Sequence, residues 1–443
     1  MANPGRRAAL EALLLVEENS GYSNLVLDKL LREQRLSQRD SALASAIFYG
    51  VLEKRLTLDY YLFQCLRDPK KKPERAALEA LRCGAYQILF LDRVPDSAAV
   101  NETVEVLKET GRERAAGFVN GVLRGLLRKR DFLALPAGDS PRAWTVRYSM
   151  PEPLIRLWMG AYGRETTQRL LEAFEKKAAL YVRVNLLKTT EEAFQAELGQ
   201  AGISCSSVEG LPGAALVENC GSPAALPAFG AGKFHVQDLS AQWVVRLLDP
   251  QPGETVCDCC AAPGGKTFTI AQQMEGRGQV YALDIYKGRV GLIAKGAGRL
   301  GLGNITAQVH DAQKGFAGFP QFDRVLCDVP CSGFGVIRRK PEIRYKPLPS
   351  IKELPALQLS ILENAAGAVK PGGRLVYSTC TLNPAENSAV AEKFLQAHPE
   401  FAPSPIRLPG LKRFLEEPEH MLTLLPFGGG SDGFFAAAFE RKG

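Results

Sequence analysis

The sequence lacks long apolar runs and a regular pattern of cysteines. No uninterrupted apolar segment of the 443 residues approaches the length of a membrane-spanning helix. The N-terminus has no apolar core of the kind found in a secretory signal peptide, and the ten cysteines do not have the spacing of a disulfide framework. We therefore expect a cytoplasmic protein whose cysteines are reduced.

The composition is that of a folded, globular chain. Hydrophobic residues make up 46% and charged residues 23% of the sequence, which argues against disorder and against collagen-like repeats. The length predicts two or three domains. The net charge of +7 is compatible with a polyanionic partner such as RNA, although a solvated surface with excess lysine and arginine would give the same value.

The spacing of apolar residues predicts four successive segments. Residues 1–135 predict an all-α bundle, because apolar residues recur every three or four positions and strand signals are missing. The stretch 133–141 contains two prolines, a glycine and a serine and predicts a linker, with bounds 136–146. Residues 147–235 predict a small α+β subdomain with a helix at 152–176 and strands at 181–185 and 215–217. Residues 236–443 predict a larger α/β domain.

Strands and helices alternate in this last segment, a pattern typical of an open parallel sheet. We predict strands at 255–260, 279–284, 305–309, 324–328 and 374–378. The apolar stretch 433–439 has no following helix and predicts a final antiparallel strand. The fold class is therefore multidomain, with a Rossmann-like α/β domain at its C-terminal end.

A glycine-containing loop and two acids suggest a nucleoside cofactor. The loop 261–267 follows the first predicted strand of the α/β domain and opens a helix, so its backbone N–H groups can approach a ligand. Asp284 ends the second strand and Asp311 follows the third, and the carboxyl ends of such strands line the ligand crevice. Asp284 could accept hydrogen bonds from ribose hydroxyls, and Asp311 could meet an adenine amine. Capping of the next helix is the alternative for each acid.

Two other kinds of site are alternatives for the same region. Gly265-Lys266-Thr267 resembles the end of a phosphate-binding loop of nucleotide hydrolases, but Cys260 stands where that motif requires glycine. Cys257, Cys259 and Cys260 could suggest zinc, yet no second cysteine pair or histidine pair completes four ligands. Cys257, and with it Cys259, is better interpreted as a small apolar core residue.

Two cysteines at neighbouring strand ends suggest covalent chemistry. Cys331 follows the fourth strand in the sequence Asp328-Val-Pro-Cys-Ser-Gly, and Cys380 ends the fifth. Methylation of cytosine at C5 needs a thiolate that adds at C6, a hydrogen-bond donor at N3 and a base for the C5 proton. Cys331, Cys380 and Asp328 are suitable groups for this reaction.

With these motifs in place, the chain resembles the NOL1/NOP2/Sun family of RNA cytosine-C5 methyltransferases. The resemblance rests on the motifs at 260–266, 328–333 and 379–380, and it extends to 234–238, 335–343 and 432–435. The helical front, including Tyr22-Ser23-Asn24 and Tyr49-Gly50-Val51-Leu52, resembles a NusB-type RNA-binding domain.

The resemblance implies a site and a substrate. S-adenosylmethionine would be held by the following residues: Cys260, Ala261, Ala262, Pro263, Gly264, Gly265, Lys266, Asp284, Asp311 and Asp328. Asp328 would also face the cytosine, Cys380 would be the nucleophile, and Cys331 would assist product release. The implied target is cytosine 967 of 16S ribosomal RNA. The implied protein is a monomer that binds RNA, free or in an assembling small subunit, without a metal or a membrane.

The sequence departs from the family pattern at several positions. Val329, Phe334 and Thr381 stand where alanine, threonine and serine are usual, and residues 174–178 lack the usual Asn and Pro-Pro. The departure at 174–178 bears on how the substrate is placed. A second hypothesis for the whole chain is a NusB-like RNA-binding or assembly factor whose sheet domain is inactive. The presence of both cysteines and all three acids favours the enzyme.

Overall fold

The computed structural model describes residues 2–19, 23–408, 410–411, 419–427 and 430–443. The chain divides into two compact units. The first unit consists of Met1–Glu175 and Arg339–Lys346, and the second of Lys176–Arg338 and Pro347–Gly443. Among the described residues, no helix is both long enough and apolar enough to cross a membrane.

The first unit is helical, as the apolar spacing predicts. Its α-helices are α1 (Pro4–Asn19), α2 (Ser23–Glu33), α3 (Gln38–Phe63), α4 (Arg75–Phe90), α5 (Asp96–Glu109), α6 (Glu113–Lys129), α7 (Pro141–Arg147) and α8 (Glu152–Phe174). Apolar side chains of α1 to α6 pack into one buried core. Tyr22 of the NusB-like motif lies outside the described residues.

Helix α7 occupies part of the segment 136–146 that the sequence predicts to be a linker. The Ser140 hydroxyl accepts the N–H of Ala143, and Pro141 fills the first helical position, where no backbone donor is needed. Trp144 is fully buried. Local composition indicated a break because proline and serine are common both in loops and at helix starts.

A distant piece of chain completes the first unit. In the 3₁₀ turn Pro341–Tyr345, Arg344 donates to the carbonyl of Glu53 at 2.9 Å and the Tyr345 hydroxyl donates to the carbonyl of Leu52 at 2.8 Å. Both carbonyls lie on α3. This segment therefore lies between parts of the α/β domain in the sequence but packs as part of the helical unit.

A four-stranded antiparallel sheet opens the second unit. Its elements are β1 (Leu180–Val184), α9 (Glu191–Gln200), β2 (Ser204–Ser207), β3 (Ala214–Glu218), α10 (Pro227–Gly230) and β4 (Phe234–Val236), and the strand order is β2-β3-β1-β4. The strands predicted at 181–185 and 215–217 are confirmed as β1 and β3. The edge strands β2 and β4 have only four and three residues, too short to show an alternating pattern.

An eight-stranded sheet follows. Its elements are α11 (Leu239–Leu248), β5 (Thr255–Asp258), α12 (Gly265–Gln273), β6 (Gln279–Asp284), α13 (Lys287–Leu300), β7 (Ile305–Val309), β8 (Phe322–Asp328), α14 (Leu354–Ala366), β9 (Val369–Thr379), α15 (Ser388–Ala397), β10 (Phe401–Pro403), β11 (Met421–Leu424) and β12 (Phe434–Arg441). The order is β10-β12-β9-β8-β5-β6-β7, with β11 also paired to β12.

Strands β5 to β9 are parallel and β12 is antiparallel to β9, as predicted. One apolar core lies against α11, α12 and α13, and a second lies against α14 and α15. Burial on both faces explains the continuous apolar runs of these strands. β5 ends at Asp258, two residues earlier than predicted, because the chain turns there toward α12.

Candidate active site at the carboxyl edge of the large sheet

The residues singled out in the sequence gather at one edge of the large sheet. β5, β6, β8 and β9 are parallel, so their carboxyl ends, at Asp258, Asp284, Asp328 and Thr379, lie along the same edge. The glycine-containing loop follows β5, and the loops that carry Cys331 and Cys380 follow β8 and β9. This edge is where open α/β sheets bind their ligands.

The loop from Cys260 to Lys266 turns sharply into α12. Gly264 has φ of 111°, and a Cβ atom there would lie 2.3 Å from the ring of Phe268. Only glycine fits this position without displacing the ring. Gly265 then begins α12, which places backbone N–H groups at the sheet edge.

Side chains of the 234–238 motif support the start of α12. His235 Nε2 lies 3.2 Å from the carbonyl oxygen of Gly265, and the Thr269 hydroxyl donates to Gln237 Oε1 at 2.6 Å. Burial lowers the pKa of His235 to about 3, so its ring is neutral. The motif that contributes to the family resemblance therefore holds the loop in place.

Lys266 and Asp328 form an ion pair between α12 and β8. Lys266 Nζ lies 2.7 Å from Asp328 Oδ2, and Ser378 donates to Oδ1 at 2.8 Å. The ammonium also lies 4.9 Å from the centre of the Phe434 ring. Burial lowers the pKa of Lys266, but the charge of Asp328 and its hydrogen bond raise it above the ordinary value. Lys266 is therefore a fixed cation at this edge.

The two candidate thiols are in contact. The Sγ atoms of Cys331 and Cys380 are 3.2 Å apart, and both side chains are half-buried. The loops that carry them are joined by a 2.6 Å hydrogen bond between the hydroxyls of Ser332 and Thr381. The pKa of Cys331 lies well above its usual range, because its thiol is hydrogen-bonded to Cys380 and is partly desolvated by the surrounding residues. The departure at Thr381 keeps a hydroxyl where serine is usual.

Asp284 and Asp311 each accept a hydrogen bond from a backbone N–H two residues further on, which is the local capping interaction that is the alternative to ligand binding. Asp284 Oδ1 accepts the N–H of Tyr286 at 2.9 Å, and Asp311 Oδ1 accepts the N–H of Gln313 at 3.1 Å. Ile285, directly after Asp284, has 52% of its apolar side chain exposed. The acids are thus held in place, and an exposed apolar side chain stands beside one of them.

Two acids at the site were missed. Asp258 ends β5, is almost fully buried, and accepts a hydrogen bond from Thr267 at 2.7 Å. Burial raises its pKa to about 7. Glu386 is fully buried beside the Cys331 loop. Glu386 could have been found from its position six residues after Cys380, and Asp258 from its position at the end of a strand.

The remaining cysteines near the site belong to the core. Cys257 and Cys259 are buried with their Sγ atoms 3.8 Å apart, which confirms the packing interpretation. All ten cysteines lie within the described residues, and none forms a disulfide. Nowhere in the described part of the chain do three or more His, Cys, Asp or Glu residues form a group that could hold a metal ion.

Comparison with known proteins gives three family matches along the chain. Residues 3–128 match the NusB family, and residues 150–222 match the ferredoxin-like domain of RsmF/B-like methyltransferases. Residues 245–440 match the 16S rRNA methyltransferase RsmB/F family. These matches confirm the predicted fold class: a NusB-like helical region, a small α+β domain and a Rossmann-like methyltransferase domain.

Similar proteins extend over the whole chain. The probable ribosomal RNA small subunit methyltransferase B of Bacillus subtilis is 40% identical over 448 residues, covering 99% of each chain. The ribosomal RNA small subunit methyltransferase B of Salmonella typhi is 34% identical and covers 98% of each. The crystal structure of PH0851 matches with a TM-score of 0.84 and 28% identity, covering 100% of this chain and 99% of that one. A methyltransferase homolog from Pyrococcus horikoshii matches with a TM-score of 0.60 and 29% identity, covering 69% and 100%.

Proposed function

The chain belongs to the RsmB/F family of 16S rRNA methyltransferases, and from this premise we propose that it methylates its cytosine through a covalent bond between Cys380 and C6. It is an S-adenosylmethionine-dependent RNA methyltransferase that acts on C5 of cytosine in 16S rRNA. The observation that carries the proposal is the contact of Cys380 and Cys331, 3.2 Å apart, at the sheet edge that also carries Asp328.

The sheet edge fits S-adenosylmethionine, which supplies an electrophilic methyl group when bound. Gly264 leaves the loop without a side chain at its sharpest turn, so backbone N–H groups can reach a ligand. Asp284 keeps one carboxylate oxygen for ribose hydroxyls, because only Oδ1 is engaged by Tyr286. The exposed side chain of Ile285 offers an apolar surface for the adenine. Asp311, after β7, would meet the adenine amine.

Cys380 would start the reaction. Its thiolate adds to C6 of the cytosine, and the electron pair displaced from the C5–C6 double bond makes C5 nucleophilic. C5 then takes the methyl group, and the electron pair of the broken C–S bond stays on the donor sulfur. Transfer of the C5 proton to water returns the electron pair of the C5–H bond, which re-forms the double bond and expels Cys380 as thiolate. Cys331, in contact with Cys380, would assist this final separation.

Asp328 would hold the base during these steps. Both of its oxygens already have protein donors, Lys266 and Ser378, which fix the carboxylate. Its side chain still has 27% of its surface exposed, so a base can contact it. A fixed hydrogen-bonding group stabilises developing charge without reorganising during the reaction.

The thiol assignment is tested with two single variants. Cys380→Ala should bind cofactor and RNA but form no adduct, whereas Cys331→Ala should transfer methyl and then stall. The stalled product would be a protein–RNA complex that survives denaturing electrophoresis and requires S-adenosylmethionine. Cys205→Ala, on β2 of the small sheet, is the matched control and should turn over without accumulating adduct. An adduct in Cys380→Ala and none in Cys331→Ala would reverse the assignment.

We further propose cytosine 967 as the target. We also propose a domain division in which residues 1–135 bind RNA. A linker around 136–146, a small domain at 147–235 and the catalytic domain at 236–443 follow. The match of residues 3–128 to the NusB family supports the first of these boundaries. Bisulfite sequencing of 16S rRNA from cells with and without the gene tests the target. Full protection of another cytosine, with position 967 unchanged, would refute it.

A further inference from the structure

The two thiols stand in different electrostatic surroundings. Lys266 and Ser378, which lies two residues before Cys380, donate to the two oxygens of Asp328 at 2.7 and 2.8 Å, so the ammonium is held at the end of the strand that carries Cys380. In agreement with this placement, the charge of Cys380 contributes to raising the pKa of Lys266, after the larger effects of Asp328. The charged groups near Cys331 are negative. Besides its hydrogen bond to Cys380 and its burial, the charges of Glu386 and Asp328 oppose its ionisation and raise its pKa. Tyr377 also lies near Cys331, and burial keeps its hydroxyl neutral by raising its pKa.

Glu386 is a fully buried carboxylate without a cationic partner among the described residues. Oε2 accepts the backbone N–H of Ser332 at 2.8 Å and the side-chain amide of Gln358 at 3.0 Å. Oε1 accepts the side-chain amide of Asn383 at 2.8 Å. All three partners are N–H donors, so both oxygens of the carboxyl group are held in place.

The same network fixes the position of Cys331. Ser332 follows Cys331 directly, and Gln358 also donates to the carbonyl of Pro330, the residue before it, at 3.0 Å. Tyr377 donates to the backbone carbonyl of Glu386 at 2.5 Å. The Cys331 loop is therefore held from both sides by groups that bind Glu386.

We propose that Glu386 is a positioning residue that keeps Cys331 in its thiol form, so that Cys331 donates to Cys380 and Cys380 is the thiol that loses its proton. The proton leaves Cys380 for solvent, and the remaining thiolate is stabilised by the S–H of Cys331 and by Lys266. This inference rests on the proposed function and deepens it. It gives a physical reason for the different roles proposed for the two thiols.

Alkylation of the two thiols tests the proposal in the absence of RNA. The full-length protein is treated with iodoacetamide over a range of pH, and each cysteine is followed by peptide mass spectrometry. Only thiolates react appreciably. In the unaltered protein Cys380 should be modified at lower pH than Cys331. If Cys331 reacts first, the proposal is wrong whatever the variants show.

Glu386→Gln removes the negative charge. Cys331 should then be alkylated about tenfold faster at neutral pH, with its reaction beginning at lower pH. Glu386→Asp keeps the charge and should restore the order of the unaltered protein. Tyr377→Phe is the structural control, because it removes a hydrogen bond to Glu386 without changing charge, and it should also leave the order unchanged.

Two results would overturn the inference. One is that the pH dependence of Cys331 alkylation is the same in Glu386→Gln as in the unaltered protein. The other is that Tyr377→Phe shifts this pH dependence as much as Glu386→Gln does, which would indicate an effect of packing alone. The proposed function fails separately, through the absence of an RNA adduct at Cys380, and that failure would not alter the alkylation order.

Discussion

Replacement of Asp284 separates ligand binding from local capping at the candidate cofactor site. Asp284 is 6% exposed and its Oδ1 accepts the N–H of Tyr286. The other oxygen, Oδ2, has no hydrogen-bond donor among the described residues and is available to ribose hydroxyls. Charge-assisted hydrogen bonds of this kind contribute about 1.5–3 kcal/mol. Asp284→Ala should therefore weaken S-adenosylmethionine binding about 10- to 150-fold.

Asp284→Asn is the matched variant. Asparagine keeps an oxygen that can accept the Tyr286 N–H, so the turn should persist and the melting temperature without cofactor should stay close to that of the unaltered protein. It loses the negative charge and presents an amide donor to the ribose, so affinity should still fall by about tenfold or more. Isothermal titration calorimetry with S-adenosylmethionine measures both variants.

The capping alternative makes a different prediction for the same pair. If Asp284 only holds the turn, Asp284→Asn should bind the cofactor as tightly as the unaltered protein, and Asp284→Ala should lose thermal stability. Unchanged affinity in Asp284→Asn would therefore remove Asp284 from the cofactor site.

Three further predictions concern stability and RNA binding. Arg82→Met should lower the free energy of unfolding of the first unit by about 3–5 kcal/mol, because it leaves the buried Glu79 with one fewer cation. Urea unfolding measures this change, and a loss below about 1 kcal/mol would contradict the prediction. Asp258 holds its proton up to about pH 7 when folded but releases it near pH 4 when unfolded. Stability should therefore fall as pH rises through this window, and melting curves of Asp258→Asn should lack that fall. Replacing the exposed Lys70, Lys71 and Lys72 by glutamine should weaken RNA binding. The slope of log affinity against log salt concentration should become shallower by about one per lost phosphate contact. An unchanged slope in filter-binding assays would show that these lysines do not contact RNA phosphates.

The helical N-terminal segment, the central strands of the sheet and the clustering of the site residues could be predicted from local sequence patterns. Helices and buried parallel strands leave periodic or continuous apolar patterns that depend on neighbouring residues, so β6 and β7 were predicted with their observed bounds. Because parallel strands end at one edge, Asp328 and Cys380 could be placed together without knowing a single contact. The roles of these residues came from the family resemblance.

Only the tertiary structure decided which groups surround the thiols. Glu386 accepts a hydrogen bond from Ser332, 54 positions away, and Arg344 reaches α3 across 291 positions. No local pattern encodes such pairs, because they depend on how distant segments pack. The sequence could identify two cysteines of suitable chemistry. The charged groups that surround each of them follow from the folded chain, since electrostatic interactions depend on distance in space and on burial.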